Sequence, residues 1–170
     1  MFAKWLEIEG PLPAATRRQP AASLVATGEG RVTAEGARVF RQNGDVTTTI
    51  AAAHDGEFIL RAQAYAKQAG TETTRMEFRI DGQPLKTFDV IAPGTMEPIA
   101  GQRVFSITLL VPQPEVYETR TRLTAGEHKF TVAFVNEFAD PENKNPNLRE
   151  RSLTIQNVEV SDLSAPVLTP

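Results

Sequence analysis

The sequence predicts an all-β fold, a two-sheet antiparallel β-sandwich of the jelly-roll type. Three observations predict it. Short runs rich in β-branched residues alternate in polarity, turn signals separate them, and no long segment has a helical period. In EFILRAQAYA (57–66), Phe58, Leu60, Ala62 and Ala64 fall on one side. In HKFTVAFV (128–135), Phe130, Val132 and Phe134 do the same. That is the period of an antiparallel strand with one face buried.

The predicted strands, in order, are VTTTIAAA (46–53), EFILRAQAYA (57–66), RMEFRI (75–80), KTFDVIA (86–92), RVFSITLLV (103–111), VYETRTRL (116–123), HKFTVAFV (128–135) and LTIQNVEV (153–160). HDG (54–56) and TAGEH (124–128) mark short turns. IDGQPL (80–85) reads as a hairpin, because Asp81-Gly82 tolerates positive φ. AKQAGTETTR (66–75) reads as a loop, since Gly70 and three threonines oppose a helix.

GPLPAATRRQPAAS (10–23) is rich in proline and alanine and reads as a linker, as does SAPVLTP (164–170). The expected organisation is an N-terminal strand plus linker (1–21), a module (22–163) and a C-terminal linker (164–170). AKWLEIEGPLP (3–13) parallels TIQNVEVSDLSAP (154–166). Residues 2–9 therefore read either as the last strand of a preceding domain or as an ordinary first strand. The opening MFAKWLEIEGPL lacks the pattern of a signal peptide. Either a cytoplasmic protein or an internal piece of a longer one would begin this way.

Hydrophobic residues make up 41% of the 170-residue chain, enough for a sizeable core. The net charge of −3 gives no basic field to draw nucleic acid or anionic lipid. The absence of cysteine excludes disulfides, thiolate metal sites and cysteine nucleophiles. No apolar run is long enough to cross a bilayer as a helix.

Catalytic patterns find little support. His54 and His128 sit in or beside turns, outside any HExxH pattern. No GxSxG elbow and no glycine-rich phosphate loop is present; TGEGRVTAEG (27–36) lies in β and loop context. Glu57, Glu72, Asp81 and Asp89 are scattered carboxylates, whereas a glycosidase needs two facing each other across a cleft.

The densest chemistry lies in FVNEFADPENKNPNLRERSL (134–153). Asn136, Glu137, Asp140, Glu142, Asn143, Asn145, Asn147 and Glu150 offer the oxygen donors that calcium takes six to eight at a time. The same composition also describes a long solvated turn, because Asn, Asp and Pro favour turns.

The chain resembles the calcium-dependent xylan-binding type of carbohydrate-binding module, also found in large bacterial secreted proteins with cytochrome-c-like domains. The likeness runs through GEFILRAQAYAKQAGTETTRMEFRIDGQPLKTFDV (56–90) and EVYETRTRLTAGEHKFTVAFVNEF (115–138). FVNE and RERSLTIQNVEV resemble that family's F-x-N-D and D-R-N-L followed by a last strand, and WLEIEGPL (5–12) resembles the end of such a module. The resemblance implies that Asn136 and Glu137 match the Asn-Asp pair, and that Glu150, Arg151 and Ser152 stand at the Asp-Arg-Asn positions. Leu153 is unchanged. Glu adds a methylene to Asp, and Ser loses an amide carbonyl.

The implied ligand-binding residues are Asn136, Glu137, Arg151 and Ser152. The implied calcium ligands are Glu137, Asp140 and Glu150, with Glu35 at a structural site. Trp5 lies outside the expected module, and Tyr65 and Tyr117 lie in strand patterns, so recognition is expected to be polar. The expected function is a non-catalytic, calcium-assisted module, extracellular or periplasmic. It would tether a larger secreted protein to a xylan-like or other plant or algal polysaccharide. The alternative is an architectural or protein-interaction sandwich without a sugar site, and a hydrolase comes third.

Overall fold

The alternation in residues 57–66 becomes a central strand of one sheet, and that in residues 128–135 a central strand of the other. A computed structural model of the chain describes residues 15–91 and 114–163. Among the described residues, one sheet has six strands. Five run in the order β3 (Gly30–Val32), β4 (Arg38–Phe40), β11 (Ser152–Asp162), β6 (Gly56–Lys67) and β9 (Glu115–Leu123), and β1 (Ala15–Pro20) also pairs with β11. The five-stranded sheet runs β2 (Val25–Thr27), β5 (Gly44–Ala52), β10 (Gly126–Phe134), β7 (Thr74–Ile80) and β8 (Gln83–Val90). All pairings are antiparallel. The expected all-β sandwich of jelly-roll type is therefore the observed fold.

Phe58, Leu60, Ala62, Ala64 and Ala66 of β6 face Phe130, Val132 and Phe134 of β10 in one core. Each fully buried Leu or Phe contributes about 1.5–3 kcal/mol. The rings of Phe78, Phe88 and Phe130 meet edge-on, with centroids 4.7 Å and 5.0 Å from Phe78. Phe88 also meets Tyr117 of the opposite sheet at 5.5 Å. The Tyr117 hydroxyl accepts a hydrogen bond from the Ile91 N–H at 2.9 Å. The outer face of the six-stranded sheet carries an ionic row across four strands. Arg18 meets Glu159 at 3.2 Å, Arg61 meets Glu159 at 3.9 Å, and Arg61 meets Glu118 at 2.6 Å.

Residues 15–20 correct the linker expectation for 10–23, because they form β1, paired with β11 from Ala15↔Asp162 to Pro20↔Asn157. The chain misleads here because the strand carries polar residues toward the second sheet. Arg17 donates to Thr48 Oγ1 at 3.2 Å and to the Thr49 carbonyl, and Gln19 accepts from the Thr48 hydroxyl. Pro20 ends the strand at the sheet edge, where its missing N–H costs no ladder bond. β2, β3 and β4 are three residues each, too short to show a period. The expected strand 86–92 is observed as β8, ending at Val90. The expected strand 103–111, residues 2–9, Trp5 and the C-terminal tail lie outside the described residues.

Three turns are tied together at one end of the sandwich. Asp81, with φ of 51°, donates its N–H to the Lys129 carbonyl at 2.9 Å, accepts from the Lys129 N–H through Oδ1 at 2.8 Å, and holds His128 Nδ1 at 2.6 Å through Oδ2. His128 Nε2 faces the Thr124 carbonyl at 2.8 Å. Asp55 Oδ1 accepts from the Ala125 N–H at 2.7 Å. Two acceptors at the two ring nitrogens favour the imidazolium. The hydrogen bond to Asp81, then that to Thr124, raises the His128 pKa above 6.5. The Lys129 N–H, then His128, lowers Asp81 below 3.8. The His128 contribution is therefore whole below pH 6.5 and is lost as the pH rises through its raised pKa. The Asp81 contribution is whole above pH 3.8 and is lost as the pH falls through its lowered pKa. We expect His128→Gln to unfold at a lower temperature than the wild type between these limits. The gap should close as the pH rises through the His128 titration, followed by thermal unfolding alongside an NMR titration of the ring.

Candidate functional site

The opposite end of the sandwich carries the oxygen-rich segment between β10 and β11. Its neck is a narrow ladder: Ala139 bridges Glu150, Asp140 N–H donates to the Arg149 carbonyl at 2.6 Å, and Arg151 N–H to the Phe138 carbonyl at 3.2 Å. Its tip is folded on its own asparagines. Asn143 Oδ1 accepts from the Asn145 N–H and Asn145 Oδ1 from the Asn147 N–H, each at 3.0 Å. These are Asx turns, in which the side-chain oxygen serves the local backbone. Asn145 thereby caps the short helical turn Pro146–Leu148.

Arg151 fastens this segment to the fold. Its side chain is buried, and its guanidinium donates to the Ala69 carbonyl through Nε and Nη2, at 3.1 Å and 2.9 Å, and to the Asn136 carbonyl through Nη1. It lies over the Phe138 ring at 5.4 Å. Burial lowers its pKa below the ordinary arginine value. Gly70 follows Ala69 with φ of 78°, and a Cβ there would stand 3.0 Å from the Phe138 ring and 3.1 Å from the guanidinium. Only glycine combines that backbone with that proximity. Asn136 is equally committed: its Oδ1 accepts from the Arg75 N–H and its Nδ2 donates to the Thr73 carbonyl, both at 2.7 Å.

The sequence-predicted residues thus divide. Asn136 and Arg151 hold the framework. Glu150 pairs with Arg41 at 3.4 Å, on the surface. Ser152 opens β11 opposite Lys67. Asp140 Oδ2 accepts from Asn143 Nδ2 at 3.4 Å. The carboxylates of Glu137 and Glu142 have no hydrogen-bond or ion-pair partner among the described residues, and the Glu137 N–H donates to Asn43 Oδ1 at 2.9 Å. Glu35 sits elsewhere, exposed in the turn between β3 and β4. It borders a depression of about 360 Å³ with Arg18 and Asn157, and another of about 470 Å³ with Arg31 and Arg41. Among the described residues, no three Asp, Glu or His side chains gather as a metal-binding group.

Beside Glu137, an open depression of about 280 Å³ lies at the end of the five-stranded sheet, bounded by Thr27, Asn43, Asp45, Arg79, Ala133 and Val135. The small Ala133 side chain allows close approach to the sheet. Asn43 and Arg79 supply donors, and Asp45 supplies an acceptor. Arg79 is steadied by Glu77 at 2.6 Å. Such a surface suits a ligand rich in hydroxyl groups. Asn43, Asp45 and Arg79 were not singled out from the sequence. The signals were there in QNGD (42–45), an Asn-Gly turn, and in the outward phase of Glu77 and Arg79 in β7.

Replacing Arg151 with Met keeps an apolar stem and removes every donor. The carbonyls of Ala69 and Asn136 would lose their buried partner, at a cost of about 2–4 kcal/mol. We expect Arg151→Met to lose that stability in denaturant unfolding and to speed amide exchange across 136–150. Glu150→Gln, which breaks an exposed pair, should stay within about 1 kcal/mol of the wild type.

No protein-family model and no curated protein matches the chain. Solved structures do. The CBM36-1 domain of a multidomain xylanase from the hindgut metagenome of Trinervitermes trinervoides aligns with a TM-score of 0.59 at 13% identity, over 90% of this chain and 100% of that one. A family 35 carbohydrate-binding module from Clostridium thermocellum aligns at 0.57 and 10% identity, over 86% and 98%. A family 36 carbohydrate-binding module in complex with calcium and xylotriose aligns at 0.56 and 12% identity, over 85% and 99%. At these identities the likeness is one of fold: the chain has the sandwich of the carbohydrate-binding modules, over nearly the whole length of each.

Proposed function

We propose that this chain is a non-catalytic polysaccharide-binding module that tethers a larger secreted protein, outside the cell or in the periplasm, to a xylan-like or other plant or algal glycan. One observation carries the reading. The polar depression bounded by Asn43, Asp45 and Arg79 lies beside the unpaired carboxylate-bearing Glu137, on a sandwich shared with whole carbohydrate-binding modules. The likeness to a domain of a multidomain xylanase supports the tethering role.

Calcium enters this proposal as an ion gathered by the segment on binding. The donor chemistry suits a hard cation, because Glu137, Asp140 and Glu142 offer carboxylate oxygens without a cationic partner among the described residues. Of the expected calcium ligands Glu150 is held by Arg41, and of the expected sugar-binding residues Asn136 serves the backbone of β7 and Arg151 is buried. Calcium, when bound, would neutralise these carboxylates and take sugar hydroxyls as further ligands. Those same commitments favour a second reading, an architectural sandwich whose loop is purely structural.

Calorimetric titration with soluble xylan and a panel of plant and algal glycans separates these readings, run with calcium and again with chelator. We expect binding in calcium, weakened about tenfold or more by Glu137→Gln and by Asp45→Asn, a loss of roughly 1.4 kcal/mol. Equal affinity in chelator would remove calcium from the proposal and leave the sugar site. Failure to bind any glycan under either condition would overturn it in favour of the architectural reading.

A further inference from the structure

The resemblance puts a structural calcium at Glu35, yet the oxygens around that residue are already spoken for. Thr33 O accepts from the Gly36 N–H at 3.1 Å, Thr33 Oγ1 from the Ala37 N–H at 3.1 Å, and Ala37 O from the Thr33 N–H at 2.9 Å. Gly36 O accepts from the Ala22 N–H at 3.0 Å, which joins this turn to the segment following β1. The side chain of Arg38 enters at that junction. Its Nε lies 3.5 Å from the Ala21 carbonyl, its Nη2 donates to the Ala22 carbonyl at 3.1 Å, and its Nη1 to the Gly30 carbonyl at 3.3 Å. Three carbonyls from two separate segments therefore converge on one cation.

Glu35 has little to offer a second one. It is exposed, and each depression it borders also holds a guanidinium, Arg18 in one and Arg31 with Arg41 in the other. Arg18 is itself paired with Glu159. Glu29, on the rim of the second depression, is the one further carboxylate among the residues bounding the two. A calcium ion wants six to eight oxygens and would have to displace Arg38 to reach the converging carbonyls.

We propose that Arg38 is the built-in cation of this corner, doing with a guanidinium fork what a structural calcium would do, so that the fold needs no metal at Glu35. The fork matters as much as the charge, because its nitrogens reach carbonyls on both segments at once. A lysine ammonium is a single point and cannot span them.

Thermal unfolding of the whole chain tests this in chelator and in millimolar calcium, for the wild type, Glu35→Gln, Glu137→Gln and Arg38→Lys. We expect Arg38→Lys to unfold roughly 5 °C or more below the wild type in both buffers. A wild-type midpoint for Arg38→Lys overturns the proposal. For the wild type, equal midpoints in the two buffers support it. So does a calcium-dependent rise that survives Glu35→Gln, and loss of that rise in Glu137→Gln would assign the ion to the loop. A rise abolished by Glu35→Gln overturns the proposal while leaving the glycan reading untouched.

Discussion

The buried guanidinium of Arg151 is the interaction on which the end of the molecule carrying the β10–β11 segment depends. A segment of seventeen residues, 135–151, leaves the sandwich after Phe134 and returns at β11. It can stay ordered only if its backbone polar groups find partners. The neck ladder satisfies some of them. The carbonyls of Ala69 and Asn136 belong to different loops and have no strand between them, and the fork of Arg151 joins them. The bare backbone of Gly70 lets Phe138 come close enough to cover the cation. Sequence, backbone conformation and burial thus converge on one junction between the β6–β7 turn and the β10–β11 segment.

That junction decides which side chains are left for a ligand. Asn136 is drawn into the β7 backbone, and the asparagines at the tip are consumed by turns. Side chains not needed for folding remain at the rim: Glu137, Glu142 and, across Asn43, the polar edge of the five-stranded sheet. A binding surface of this kind is built from what the framework does not use. On the proposed function, affinity for a hydroxyl-rich polymer would rest on several modest hydrogen bonds made together. Such contacts give a net gain of about 0.5–1.5 kcal/mol each.

The legible part of this fold was the part in which hydropathy and geometry agree. β6 and β10 alternate cleanly because their inward residues are apolar, and the Asp81-Gly82 turn announces itself by its backbone needs. β1 was hidden because the exposed Arg17 and half-buried Gln19 reach across to Thr48 of the second sheet, where alternation would lead one to expect apolar side chains. The loop was ambiguous for a deeper reason. An asparagine oxygen that can ligate calcium can equally accept a neighbouring N–H, and composition does not say which it does. Arg151 was found by motif, and its guanidinium faces carbonyls within the protein. Asn43 and Asp45 flank one turn, but Arg79 lies more than thirty residues on in β7, and only sheet register brings it to their edge.

A common rule links Arg17, Arg38 and Arg151. Each turns its guanidinium toward backbone carbonyl oxygen of a separate segment: Arg17 toward Thr49, Arg38 toward Ala21, Ala22 and Gly30, and Arg151 toward Ala69 and Asn136. Five donors in a planar fork suit this task, since one side chain can satisfy several acceptors from separate segments. Arg151 pays for this with the desolvation of a charge, visible in its lowered pKa. The gain is that loop positions are fixed by covalently attached cations, whatever the metal content of the surroundings. A sandwich held in this way can keep its fold while the carboxylates on its rim vary, which separates the stability of the scaffold from the chemistry of the proposed ligand.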